Sequence, residues 1–353
     1  GKGAETDTSF DFLVSLDATG TFEYDGDKSG TVADGDTISL KGGQSVTIKD
    51  VPVGAEYGVV EQPSAHYLSS SEDATGTVGL TGSSIHFTNI HKVADLTLSK
   101  TVTGKGAETD TDFNFIVNLG EAGSFAYEGD KTGAIADGGT ISLKGGQTVT
   151  IKDIPVGTSY SIIEEPSAHY ISASQDATGT VGLSGSSVHF TNTRKLANLT
   201  LSKTVKGANA DKTKSFKFVV SLDATGTFEY NGDKTGIVSD GGTVSLKSGQ
   251  SIIIKDVPVG VAYSVVEEKT QGYKSEAKNG QGTVAESGND IQFINTKVAS
   301  AQKSPSKSSD AEGSSSPRTG DSLALIIALL SLLGCGVIAT TSYAFIRLSK
   351  NER

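Results

Sequence analysis

Lys100, Glu164 and Asn192 are polar residues at positions where the surrounding pattern is apolar. Lys100 stands between Leu98 and Val102 in the run LTLSKTV. Glu164 shares a face with Tyr160 and Ile162 in TSYSIIE, while Glu165 points the other way. Asn192 follows Val188 and Phe190 at alternate positions in SVHFTN. The trio returns as Lys203, Glu267 and Asn295, and Glu61 and Asn89 belong to a third set whose lysine would lie ahead of Gly1. Lysine and glutamate are almost never fully buried unless paired, and removing one partner of a buried pair leaves an uncompensated charge. Two chemistries fit. One is a buried Lys–Glu ion pair with an asparagine hydrogen bond. The other is covalent. Burial disfavours the charged forms of amines and carboxyls alike, and a neutral amine is a nucleophile. A protonated carboxyl can donate to an asparagine carbonyl and shuttle protons, and packing the amine against the amide carbon supplies proximity. The product would be a Lys–Asn isopeptide bond with loss of ammonia. Glu164 and Glu267 would then be self-directed catalysts, with Glu61 their equivalent in the first copy.

The elements that must position these residues repeat. GKGAETDTSFDF at Gly1 returns as GKGAETDTDFNF at Gly104, an offset of 103. Val51-Pro52-Val53-Gly54 returns as Ile154-Pro155-Val156-Gly157 and as Val257-Pro258-Val259-Gly260; Tyr57, Tyr160 and Tyr263 keep the step, as do Phe87, Phe190 and Phe293. Copies two and three open with ADLTLSKTV and ANLTLSKTV, from Ala94 and Ala197; the matching segment of copy one would precede Gly1. Within a copy the apolar period is two, as in Leu96, Leu98, Val102 and in Phe113, Phe115, Val117. Gly-rich turns punctuate these runs, and none reads as a useful amphipathic helix. The predicted class is all-β, a sandwich of short antiparallel strands in tandem, over residues 1–92 (first strand missing), 93–195 and 196–297.

Composition narrows the function. The net charge is −11, and residues 1–320 alone carry −12, which argues against a nucleic-acid binder. The single cysteine, Cys335, allows no internal disulfide and no multi-cysteine zinc site. The chain holds no Met and no signal peptide opens it, so it reads as a fragment or processed form. Five histidines occur, but His169 and His189 become Gly272 and Gln292 in copy three. A metal site common to the repeats is therefore not expected, and the histidines read as solvated loop or strand residues. The Asp-rich turns at Asp25–Asp27 and Asp130 read as solvated rather than calcium-binding. No cofactor is implied.

Each copy resembles the streptococcal pilin isopeptide linkage domains, relatives of the Ig-like B-type repeats of collagen adhesins. The matching pieces are LTLSKTV, FNFIVNL, YSIIE and the terminal FTN. The resemblance covers about residues 1–297 and implies bonds between Lys100 and Asn192 and between Lys203 and Asn295, with Glu164 and Glu267 as catalysts. Asn89 would be an acceptor without its lysine. By analogy with disulfide loop entropy, each bond would stabilise its module by about 4–5 kcal/mol.

Residues 298–316 are rich in Ser, Lys and Ala and read as a flexible linker. Pro317-Arg318-Thr319-Gly320 follows, then 24 uncharged residues from Leu323 to Ile346, then Arg347, Lys350 and Arg353. The apolar run is long enough for one transmembrane helix, with the basic tail inside and the repeats outside. This arrangement, within residues 317–353, is similar to the sorting signal of Gram-positive cell-wall proteins, with Ser316 where Leu is usual. That resemblance implies cleavage between Thr319 and Gly320 by a partner sortase and attachment to peptidoglycan, with the membrane a partner only before sorting. The expected function is a wall-anchored stalk or pilin-like adhesin rather than an enzyme. The alternative is a surface module that binds a host matrix protein or glycan, its triads being ion pairs only.

Overall fold

In the computed structural model, residues 2–298 are described. The linker beyond them, the sorting tetrapeptide and the 323–346 span lie outside the described residues. Among those described, no helix is long and apolar enough to cross a membrane.

Every element among the described residues is a strand. The first module holds β1 (Ser9–Leu16), β2 (Thr21–Gly26), β3 (Gly30–Ala33), β4 (Thr37–Lys41), β5 (Val46–Ile48), β6 (Glu56–Glu61), β7 (Tyr67–Glu72), β8 (Thr75–Thr77) and β9 (His86–His91). The second holds β10 (Val93–Thr103), β11 (Phe113–Leu119), β12 (Ser124–Gly129), β13 (Gly133–Ala136), β14 (Gly139–Leu143), β15 (Thr148–Pro155), β16 (Ser159–Glu164), β17 (Tyr170–Gln175), β18 (Thr178–Thr180) and β19 (Ser186–Arg194). The third repeats this order as β20 (Leu196–Lys206), β21 (Phe216–Leu222), β22 (Thr227–Gly232), β23 (Gly236–Ser239), β24 (Gly242–Leu246), β25 (Ser251–Pro258), β26 (Ala262–Glu267), β27 (Tyr273–Lys278), β28 (Gln281–Thr283) and β29 (Asn289–Lys297).

The second module is a two-sheet sandwich, β13-β12-β15-β10-β19-β17 over β14-β11-β16-β18. Alternation sends Leu96, Leu98, Phe115, Val117, Val149 and Val188 into the shared core, each fully or almost fully buried. The first strand, β10, lies at the centre of its sheet, antiparallel to β15 and parallel to the last strand, β19. The third module has the same order, with β20 between β25 and β29.

Among the described residues the first module holds no counterpart of β10, and the strands that would flank it form two separate sheets, β3-β2-β5 and β7-β9. Its core cluster contains only Val14, Leu16, Val32 and Ile38. Val46 and Ile48 remain half-buried, whereas Val149 and Ile151 at the same places are fully buried. A missing central strand removes both its own side chains and the cover it gives its neighbours.

One residue separates consecutive modules: Lys92 between β9 and β10, Lys195 between β19 and β20. Val156 N–H donates to Lys92 carbonyl (2.9 Å) and Val259 N–H to Lys195 carbonyl (3.0 Å). His66 lies against Gly157 of the next module and His169 against Gly260, so close that an added Cβ would fall 3.1 and 2.4 Å from the rings. His66, His86 and His169 are exposed, as expected of solvated residues, and His66 and His169 also touch the module junction; His91 and His189 are half-buried, His91 edge-on against Tyr67 and His189 Nδ1 2.8 Å from Ser99 Oγ.

Candidate functional site

Residues separated by 92 positions meet because β10 and β19 are parallel neighbours. Val102 is opposite Asn192 and Lys100 is opposite Phe190, so Lys100 and Asn192 sit two positions apart along the pair, on the inward face. Glu164 comes from the opposite sheet, at the end of β16, paired with Phe115 of β11. The three side chains close on one another across the sandwich.

Lys100 Nζ lies 3.0 Å from Glu164 Oε1, with both side chains almost wholly buried. Asn192 Nδ2 donates to the same oxygen at 2.7 Å. One carboxylate oxygen thus holds the amine and the amide together. In the third module Lys203 Nζ donates to Glu267 Oε2 at 3.1 Å, and Asn295 Nδ2 donates to Oε1. The walls are aromatic: Lys100 Nζ is 4.6 Å from the centre of the Phe113 ring and Lys203 Nζ 4.5 Å from that of Phe216. Burial holds both lysines below the ordinary lysine pKa, against the raising effect of hydrogen bonding to the glutamates. Asn192 Oδ1 and Asn295 Oδ1 are buried without a hydrogen-bond partner.

The first module holds the incomplete set. Glu61 is buried, but its Oε1 has no partner, and neither has Asn89 Oδ1.

Sequence reasoning passed over Ser172. It stands opposite Asn192 on the edge strand β17, and its hydroxyl donates to Glu164 Oε2. Ser275 does the same for Glu267 at 2.7 Å and Ser69 for Glu61 at 2.6 Å. The available signal was recurrence of serine at the 103-residue step; it was hidden because YISASQ is otherwise an exposed polar strand. Arg194 was also passed over. It is buried, stacks over Tyr170 and donates from Nη2 to Val259 carbonyl of the next module at 2.7 Å. The Asp-rich turns brace their own backbone. Asp27, Asp130 and Asp233 accept backbone N–H groups from Ser45, Thr148 and Ser251 respectively, all at 2.7 Å.

The family model described as a domain of unknown function, DUF7601, matches three times, over residues 1–91, 94–194 and 197–297. The chain belongs to the DUF7601 family. The three DUF7601 matches coincide with the three modules. Over 98 residues the chain is 33% identical to the pilus tip adhesin Cpa of Streptococcus pyogenes, which is 25% of this chain but only 14% of that protein. Among solved structures, the major pilin of Streptococcus pyogenes aligns with 21% identity and a TM-score of 0.40, covering 60% of this chain and all of that one. The Bacillus anthracis TIE protein aligns with 16% identity and a TM-score of 0.34, covering 82% of this chain and 52% of that one.

Proposed function

We propose that the chain is a pilin-like surface stalk whose second and third modules lock themselves with Lys100–Asn192 and Lys203–Asn295 isopeptide bonds. The observation that carries this reading is a single carboxylate binding a buried amine and a buried amide, present twice at the same spacing. In the reaction, the neutral lysine amine adds to Cγ of the asparagine. The glutamic acid donates to the amide oxygen as the tetrahedral centre forms. A half-turn of the Asn192 amide brings the unpartnered Oδ1 onto Glu164 for this step. The amine proton passes by way of the carboxylate to Nδ2, the Cγ–Nδ2 bond breaks and ammonia leaves. Ser172 and Ser275 position the carboxylates.

The 98-residue likeness to a pilus tip adhesin supports a place on the cell surface. Pro317-Arg318-Thr319-Gly320 and the apolar run after it would serve as the wall-sorting signal, with a sortase and peptidoglycan as partners.

Intact-mass measurement tests the reading. The full chain, made in a host without sortase, is expected to fall short of its calculated mass by about 34 Da, roughly 17 Da of ammonia for each bond. Glu164→Ala or Glu267→Ala should halve the deficit. A mass matching the sequence would reduce the triads to ion pairs. The same method applied to protein released from producing cells by muramidase should find polypeptide ending at Thr319; a chain extending to Arg353 would refute sorting.

A further inference from the structure

The second and third modules end in different chemistry. The pole of the second module where β19 ends is built to hold the third. Lys105 Nζ lies 4.0 Å from the centre of the Phe228 ring. Gly106 is so close to Pro258 that an added Cβ would fall 2.5 Å from its ring. His169 lies against Gly260, and Arg194 donates to the Val259 carbonyl. One 103-residue step on, these four places hold Ala208, Asn209, Gly272 and Lys297. The same pole of the third module gains cations instead. Thr103, Thr109, Thr111 and Ile171 give way to Lys206, Lys212, Lys214 and Lys274, and Asp110 and Asp112 to Thr213 and Ser215. Net charge goes from −5 over residues 93–195 (seven basic, twelve acidic) to +1 over residues 196–297 (twelve basic, eleven acidic).

These lysines share one exposed end of the module. Thr296 pairs with Lys206 on one side and with Lys274 on the other, so the two lysines flank it on the outer face of the sheet. Lys297 Nζ and Lys214 Nζ lie 4.8 and 5.9 Å from the centre of the Tyr273 ring. The Tyr273 hydroxyl accepts Asp211 N–H at 3.0 Å, which brings the loop with Lys212 to the same end. Asp211 itself is turned onto the Thr213 hydroxyl and N–H. Among the described residues, the ion pairs of third-module lysines are Lys203–Glu267, Lys217–Glu268 and Lys274–Glu276. Four of the five pole lysines therefore face water without a carboxylate partner. The chain leaves the module here, and its next charged residues, Lys303 and Lys307, are also basic.

We propose that this pole binds a phosphodiester polyanion of the cell wall, of the poly(glycerol phosphate) kind. The place that docks a protein module in the second repeat docks a charged polymer in the third. Lysine suits the task, because a compact charge on a flexible stem follows a flexible chain without bidentate geometry. The acidic remainder of the chain does not cancel the patch, since exposed charges are screened beyond about 8 Å at physiological ionic strength. The choice of a wall polymer over a lipid surface rests on the sorting reading above. A chain joined to peptidoglycan at Thr319 holds this pole within about 80 Å of its attachment, at ~3.3–3.6 Å for each residue of 298–319.

The test follows fluorescent poly(glycerol phosphate) by anisotropy as the full chain is added. The wild type should bind, and log Kd should rise with log salt at a slope of about 3–4, from ~0.7 for each phosphate neutralised. Lys206→Thr, Lys212→Thr and Lys214→Thr together restore the second module's residues at these places. They should weaken binding about 100-fold, at roughly 5-fold for each lysine beside an anionic surface. Lys152→Thr, Lys255→Thr and Lys278→Thr remove the same charge from strands away from the pole and should leave most of the affinity. Equal losses from the two triple variants would make binding a matter of net charge and refute a site at the pole. A wild type that does not bind the polymer overturns the inference and leaves the lysines a solvated end. Phosphatidylglycerol vesicles are the competing arm. If, per accessible phosphate, they bind more tightly than the polymer and lose that binding in the pole variant, a membrane is the occupant and the wall polymer is refuted. Sorting is read separately, by mass. A chain ending at Thr319 that fails to bind overturns this inference alone, and a chain extending to Arg353 overturns sorting and with it the wall as the polymer's source.

Discussion

Pulled between Val93 and Lys297, the second and third modules are expected to stay silent, with no unfolding step from either. The reason is the load path. Tension enters the second module at Val93, at the start of β10, and leaves at Arg194, at the end of β19. The two strands are parallel neighbours, and Lys100 and Asn192 both lie near their C-terminal ends. A covalent Lys100–Asn192 bond carries tension from β10 straight into β19, and residues 101–191 drop out of the path. The single-residue joint at Lys195 then passes it to β20, where the arrangement repeats. Glu164→Ala should add a step releasing about 300 Å, from ~3.3–3.6 Å per residue over the residues the bond had shielded. Asn192→Ala, which leaves the ion pair in place, should add the same step and guards against misfolding of the first variant. Single-molecule force spectroscopy reads both. A step from either module in the wild type, or none in Asn192→Ala, would show that the bond does not bear load.

The second large effect is on stability, and the two ways of losing the bond should differ. Asn192→Ala removes the crosslink and should lower the stability of the second module by about 4–5 kcal/mol on the loop-entropy model. Glu164→Ala removes the crosslink and also strands Lys100 in an aromatic pocket. Removing one partner of a buried pair typically costs about 3–5 kcal/mol more. Both side chains are almost wholly buried, so solvent screening takes little from that figure. Denaturant unfolding should therefore rank wild type above Asn192→Ala above Glu164→Ala, and equal midpoints for the two variants would refute a buried charge pair. The Asn192→Ala chain also carries a pH signature. Its folded-state Lys100 pKa lies below the unfolded value because burial disfavours the ammonium. Between the two values the unfolded chain binds more protons, so the lysine's contribution to stability rises with pH up to the unfolded value of 10.5. In the crosslinked wild type Lys100 is an amide nitrogen, and this rise should be absent.

Much of this organisation is carried by local sequence. The 103-residue step defines three copies, and period-two alternation assigns Leu96, Leu98, Phe115 and Val188 to a core. It also sends Lys100, Glu164 and Asn192 inward, because on a pleated strand a residue's face depends only on its parity. Alternation cannot say which strands are neighbours. The parallel pairing of β10 with β19, across 92 positions, is a long-range choice that decides whether Lys100 and Asn192 ever meet. The same holds for Ser172, an exposed-looking edge residue placed against Glu164 only by β17 pairing with β19. It holds for Arg194, whose partner carbonyl belongs to the following module. The return of LTLSKTV at the head of the second and third copies was plain in the sequence. That this segment forms the central strand of a sheet, between β15 and β19 and again between β25 and β29, was decided by tertiary structure, since the pairing joins residues far apart in the chain.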